Sequence, residues 1–218
     1  MVSSLWINLL MKIAFCIGNG ESRAGFNLQK LKTFGTLYGS NAVFRDVEVD
    51  HLVCCDRRMA METVSKNYKG KVYTRKDWYS FFPYDNIKQL PALPWTESEK
   101  WTQSFHMGSG LHAVNLALQD GADVVVVIGH DFWGTGSKHN NLYKGTANYA
   151  DVVAPAVDPS FWIKQFVKFS QVYADTQFVF CQPNIKAWRK PTGWDPVTLP
   201  NIQYEELTTL VDTIKQIG

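Results

Sequence analysis

Six short apolar runs in this chain are continuous rather than alternating: "KIAFCIG", "GTLYGS", "HLVCC", "KVYT", "DVVVVIG" and "QFVFC". A strand that meets water on one face alternates apolar with polar residues, whereas a parallel strand covered on both faces does not. Between the runs lie helical patterns. "RRMAMETVSKN" follows the third. "SGLHAVNLALQDG" places Leu111, Val114, Ala117 and Leu118 on one face, with Ser109 as its expected N-cap and Gly121 as its stop. "DPSFWIKQFVKFSQVYA" groups Phe161, Phe166, Phe169 and Tyr173, and a last helix is expected from about Glu205 to Ile217. Strand and helix alternate, which predicts an α/β fold: a single Rossmann-like domain over residues 1–218, with a mainly parallel central sheet and helices on both faces.

Two stretches read as irregular, "FFPYDNIKQLPALPWTESEK" and "GTGSKHNNLYKGTANYADVVAPAV". Long loops in a compact domain are usually functional, so residues 133–157 are a lid candidate. The stretch "KAWRKPTGWDPVTLPN" reads as surface packing. Met11 followed by Lys12 suits an initiation point, so residues 1–10 read as an extension rather than a signal peptide.

Ligands of parallel sheets bind beyond the carboxyl ends of the strands. Here those ends carry Gly18-Asn19-Gly20-Glu21-Ser22-Arg23, Ser40-Asn41, Asp56-Arg57-Arg58, His130-Asp131 with Trp133, and Gln182-Pro183-Asn184. Polar side chains among small residues suit a nucleotide or nucleotide sugar better than an apolar ligand. The glycines around Ser109 leave free N–H groups at a helix start, an arrangement suited to phosphate, although Ser109 could equally be only a cap. The Gly-x-Gly of the first loop is no full dinucleotide fingerprint. Arg23 stands where a third glycine is expected, and Asn41 where NAD binding wants an acid.

Other classes are disfavoured. The net charge is +2, and no basic block exceeds Arg57-Arg58, which argues against nucleic acid. No run reaches the roughly 20 apolar residues of a membrane span. Cys16, Cys54, Cys55 and Cys181 show no Cys-x-x-Cys pair, so they read as buried thiols in a reducing cytoplasm. Neither Ser22 nor Ser109 sits in a nucleophile elbow. His130, Asp131 and His139 match no zinc spacing, and no cofactor is firmly implied. His51 reads as structural or solvent-facing, His112 as a surface residue, and Tyr143 and Tyr149 as loop packing with a chance of touching ligand. Exposed aromatics in the irregular stretches suit a homo-oligomer.

"IGNGESR", "GSNAVFRD", "MGSGLHAVNLALQDGADVVVVIGHDF" and "FCQPN" together resemble the bacterial lipooligosaccharide sialyltransferases, which use a CMP-sugar donor. More distantly they resemble the hydroxymethylpterin pyrophosphokinase-like proteins. The first resemblance implies a glycosyltransferase. Asn19 would lie against the donor phosphate or sugar, Asn41 and the Ser109-Gly110 loop would hold the nucleotide, and Asp131 would match an aspartate after the fifth strand. Gly18, Gly20, Ser22, Asp56, His130 and Trp133 complete the expected ligand-binding set, with His139 or Asp131 as catalytic base. The chain departs from that pattern in places. Asp56 replaces a nucleotide-contacting asparagine, Trp133 and His139 stand at or near two tyrosines, and His106 replaces an arginine. Asp158 lies where the family has its catalytic histidine. Two alternatives follow: a pyrophosphokinase-like enzyme with magnesium on Asp56 and Asp131, or a non-catalytic nucleotide-binding or interaction module.

Overall fold

The computed structural model describes residues 11–215; the extension at 1–10 and the end of the last expected helix lie outside them. Its eight strands are β1 (Ile13–Ile17), β2 (Thr36–Ser40), β3 (His51–Val53), β4 (Lys71–Thr74), β5 (Ile87–Gln89), β6 (Val124–Ile128), β7 (Gln177–Gln182) and β8 (Ile202–Glu206). They form one sheet in the order β5-β4-β3-β2-β1-β6-β7-β8. Every neighbouring pair is parallel. The helices are α1 (Arg57–Ser65), α2 (Lys76–Tyr79), α3 (Ser109–Gln119), α4 (Ser160–Val172) and α5 (Leu210–Lys215), with short 3-10 turns between elements.

The continuous apolar runs are the inner strands, as expected. β6 is buried at all five positions because sheet neighbours and both covering layers leave it no wet side. The two outermost strands escaped the sequence reading. β5 lies in a stretch read as irregular, and β8 occupies ground given partly to the last helix, which starts only at Leu210. Edge strands pack on one side, so theirs is a short and half-polar pattern.

Chain order reverses at β1. Its Ala14 pairs with Thr36 of β2, and its Ile13 pairs with Val124 of β6. The switch point therefore lies between β1 and β6, and a crevice is expected just past Ile17 and Ile128.

Side chains of the sheet feed two cores. One holds Cys16, Val125, Phe178 and Phe180 against α3 and α4. The other holds Phe15, Leu37, Val126 and Val179 against α1 and α5. α3 is buried almost all round, because residues 92–107 cover its outer side. His112 is consequently buried, with Nε2 3.1 Å from the Ser104 carbonyl, and not on the surface as expected. The 186–201 stretch is also more than surface packing: Trp194 and Leu199 are core residues. His51 stacks on Tyr38 and contacts the Tyr73 hydroxyl through Nδ1 at 3.2 Å, a structural place. All four cysteines are buried and free. No described helix is long and apolar enough to cross a membrane.

Candidate functional site

A cavity of about 210 Å³ opens at the switch point. Of the residues singled out in the sequence, Gly18, Asn19, Gly20, Asn41, Ser109, Gly110, His130, Asp131, Trp133 and His139 line it, whereas Ser22 and Asp56 do not.

The first loop continues the β1–β6 ladder: the N–H of Gly18 donates to Ile128 O (2.7 Å) and that of Gly20 to Gly129 O (2.8 Å). This close approach explains the Gly-x-Gly. A Cβ on Gly18 would stand 2.3 Å from Gly129 O, and one on Gly20 would stand 2.4 Å from the Asp131 carboxyl carbon. Arg23 is a buried strut. Its guanidinium donates to Gly18 O (2.7 Å) and Tyr143 Oη (2.6 Å) and pairs with Asp46 (3.0 Å). Asn19 donates from Nδ2 to Tyr149 Oη (3.0 Å), and its Oδ1 is buried without a protein partner. The loop thus holds its neighbours in place and leaves one buried acceptor unpartnered.

Asn41, directly after β2, has φ +49°, a left-handed conformation asparagine tolerates better than most residues. Its Oδ1 accepts from the Ser109 hydroxyl (2.8 Å), which in turn accepts the Cys55 N–H (2.9 Å). Ser109 is therefore not the cap of α3 but a tie among the ends of β2, β3 and α3. Gly108 occupies the N-cap, no side chain caps the helix, and its first N–H groups open toward the cavity.

The segment after β6 is strained. Phe132 has φ +63°, and the Trp133 N–H reaches back to Asp131 O at 2.8 Å, closing a three-residue turn. A bulky residue in that region costs about 1–3 kcal/mol. It persists here because the Phe132 ring packs among Phe166, Phe180, Trp188 and Trp194 with centroid distances of 5.6, 6.0, 6.2 and 5.3 Å. The turn delivers the neighbouring side chains. Asp131 accepts from the Ser22 N–H (3.0 Å) and the Ser22 hydroxyl. His130 lies edge-on to Phe166, and burial pushes its pKa down to about 4. Trp133 donates from Nε1 to Arg189 O (2.6 Å), and the Arg189 guanidinium sits 3.9 Å from its ring centre.

Residues 133–157 close one side and are tied down at several points. Glu21 accepts from Lys144 and Thr135, and its N–H donates to Asn140 Oδ1. Arg45 grips Glu62 at 2.8 and 2.6 Å and also donates to Thr146 and Ala147. Tyr143 is buried, donating to Asp46 (2.5 Å), and Tyr149 Oη also accepts the Ala42 N–H (3.2 Å). Both tyrosines brace the loop rather than line the cavity. His139 does line it, with its N–H on Ala154 O (2.8 Å). Burial first, then the Lys144 charge, hold its pKa below the usual histidine value, with Glu21 opposing.

Asp56 caps α1 through the Arg58 N–H (2.9 Å) and pairs with the Arg58 side chain (3.0 Å). It does not converge with Asp131, and no cluster of three or more potential metal ligands exists among the described residues.

No protein-family model and no curated protein matches the chain. Among solved structures it is distantly similar to the sialyltransferase CstII from Campylobacter jejuni, in complex with a substrate analogue, CMP-3FNeuAc. The two are 13% identical over 80% of this chain and 82% of that one, with a TM-score of 0.47.

Leu111, Phe132, Val157, Trp162 and Phe166 also line the cavity and were not expected there. They give it an apolar wall beside its polar groups. Only Leu111 and Phe166 stood out in the sequence, each as a member of a helical stripe.

Proposed function

We propose that this crevice binds a nucleotide-activated sugar and that the chain transfers the sugar to an acceptor hydroxyl. The observation that carries the reading is a convergence on one cavity at the switch point. Uncapped α3 N–H groups suit a phosphate, Asn19 brings an unpartnered side-chain acceptor to the cavity lining, and the apolar wall suits a ring.

In this reading His139 is the base. An imidazole with a lowered pKa is neutral at pH 7 and can accept the acceptor's proton as the bond from sugar carbon to nucleotide phosphate breaks. Asp131 holds the first loop, since its carboxylate is engaged by Ser22. The cavity is smaller than the roughly 300–1,000 Å³ of most small-molecule sites. A whole nucleotide sugar therefore requires part of residues 133–157 to lift and then close, which would exclude water that competes for the donor.

The test is a melting panel of CMP, CDP, UDP, GDP, ATP and CMP-sialic acid, each with and without magnesium. A ligand at about 100 times its Kd adds about 2.7 kcal/mol. A shift by a cytidine nucleotide without metal, lost in Asn41→Ala, supports the reading. A shift by ATP or GTP only with magnesium favours the pyrophosphokinase alternative. Where turnover is found, His139→Gln should slow it about 100-fold or more with little change in melting. The wild-type rate should fall on the acid side with a midpoint below the usual histidine value, as His139 gains its proton. Binding without turnover, unaffected by His139→Gln, would indicate the non-catalytic module.

A further inference from the structure

The His130 imidazole is clamped between two backbones. A Cβ on Gly110, in the first turn of α3, would lie 2.6 Å from its Cε1, and a Cβ on Gly18 would lie 2.8 Å from its Cδ2. The ring therefore bridges the start of α3 and the first loop, with Phe166 against its edge. Neither ring nitrogen has a hydrogen-bond partner among the described residues. Nε2 is sealed from solvent and unsatisfied, whereas Nδ1 is not sealed and belongs to a ring that lines the cavity. A buried bare lone pair is less costly than a buried orphan N–H, so the proton of the neutral ring belongs on Nδ1. That places a side-chain donor beside the uncapped N–H groups of α3.

Among the described residues no lysine or arginine side chain lines the cavity, and the one lining carboxylate, Asp131, is turned to Ser22. We propose that His130 and the N-terminus of α3 form a single cradle for a phosphate-sized oxyanion, bound by uncharged donors rather than by paired cations. The helix dipole supplies the favourable potential, and Nδ1–H adds a fixed directional bond. This deepens the reading of the crevice as a nucleotide-phosphate site. It rests on that reading for the natural ligand, and not for the oxyanion itself.

The test titrates sulfate into the intact 15N-labelled chain at constant ionic strength near neutral pH and follows the backbone amides and histidine ring nitrogens. Saturable shifts are expected at Ser109, Gly110 and His130 Nδ1–H, with the His130 ring staying neutral. His130→Asn, which keeps a donor near the Nδ1 position, should bind within about threefold of wild type. His130→Leu should lose about tenfold or more, the weight of one hydrogen bond to a charged group. Melting of each variant without sulfate checks the fold, and if the leucine variant does not fold, the wild-type ring shifts decide. Equal binding by His130→Leu, shifts confined to the Arg57–Arg58 surface, or no saturable binding would each overturn the proposal. Sulfate binding with no response to any nucleotide would sink the nucleotide-sugar reading and leave the cradle standing. Nucleotide binding indifferent to His130→Leu would do the reverse.

Discussion

The two faces of the sheet are built from different material. The face under α3 and α4 is aromatic, with Phe132, Phe166, Phe169, Phe178, Phe180 and Trp194 in one cluster. The face under α1 and α5 is largely aliphatic, with Leu31, Leu37, Val43, Leu52, Val126 and Val179. The aromatic face reaches the cavity itself, through Phe132 and Phe166, and holds the strained turn that presents His130, Asp131 and Trp133. The aliphatic face reaches the site indirectly. It acts through polar ties that hold the first loop and residues 143–149: Arg23 to Asp46 and Tyr143, and Arg45 to Glu62. Large rings pack rigidly and can offset local strain, whereas aliphatic packing tolerates repacking and leaves positioning to hydrogen bonds.

The largest effect separating the faces should come from core truncation. Phe166→Ala should cost about 3–5 kcal/mol, and Leu37→Ala about 2–5 kcal/mol, by urea denaturation. Where both remain folded, only Phe166→Ala should abolish ligand-induced stabilisation, because only Phe166 is a cavity wall. Equal loss of ligand response in both would break the comparison.

Next comes the tie on the aliphatic side. Glu62 is mostly buried and holds Arg45 and Asn148, so Glu62→Ala leaves a largely buried arginine unpaired. A loss of about 3 kcal/mol is expected, together with faster amide exchange in residues 143–149. Unchanged exchange there would show that the aliphatic face does not brace the loop.

The last effect is an acid limb on the aromatic side, full only at the bottom of its pH range and partial at any milder pH. Buried His112 stays neutral in the folded protein down to about pH 4, whereas an unfolded histidine takes its proton near pH 6.5. Unfolding therefore gains a proton as pH falls, and stability is lost progressively between those values, by about 3 kcal/mol at the bottom. His112→Gln can keep a donor to Ser104 O and should shrink the difference in urea midpoint between pH 7 and pH 4.5. His130 contributes with the same sign, so part of the limb remains.

Much of this protein was legible residue by residue. Buried inner strands announce themselves because burial on both faces removes polar residues from the run. The parallel class then predicts that strand ends carry the site, which is how Gly18, Asn19, Asn41, Ser109 and Asp131 could be named. β5 and β8 were not legible, since an edge strand of three to five residues packs on one side and leaves a pattern a loop can imitate. His112 reads as polar and hence exposed, until residues 92–107 cover it.

The sequence by itself determined the inner sheet, its parallel sense and the strand ends from which a site could be built. All three follow from local burial, which each residue type records directly. The tertiary structure alone decided what those ends do. Arg23 became a strut, Ser109 a tie and Phe132 a strained pivot because of what packs beside them, and none of those neighbours is adjacent in the chain. A side chain's chemistry is local, but its partners and its desolvation are set by the fold.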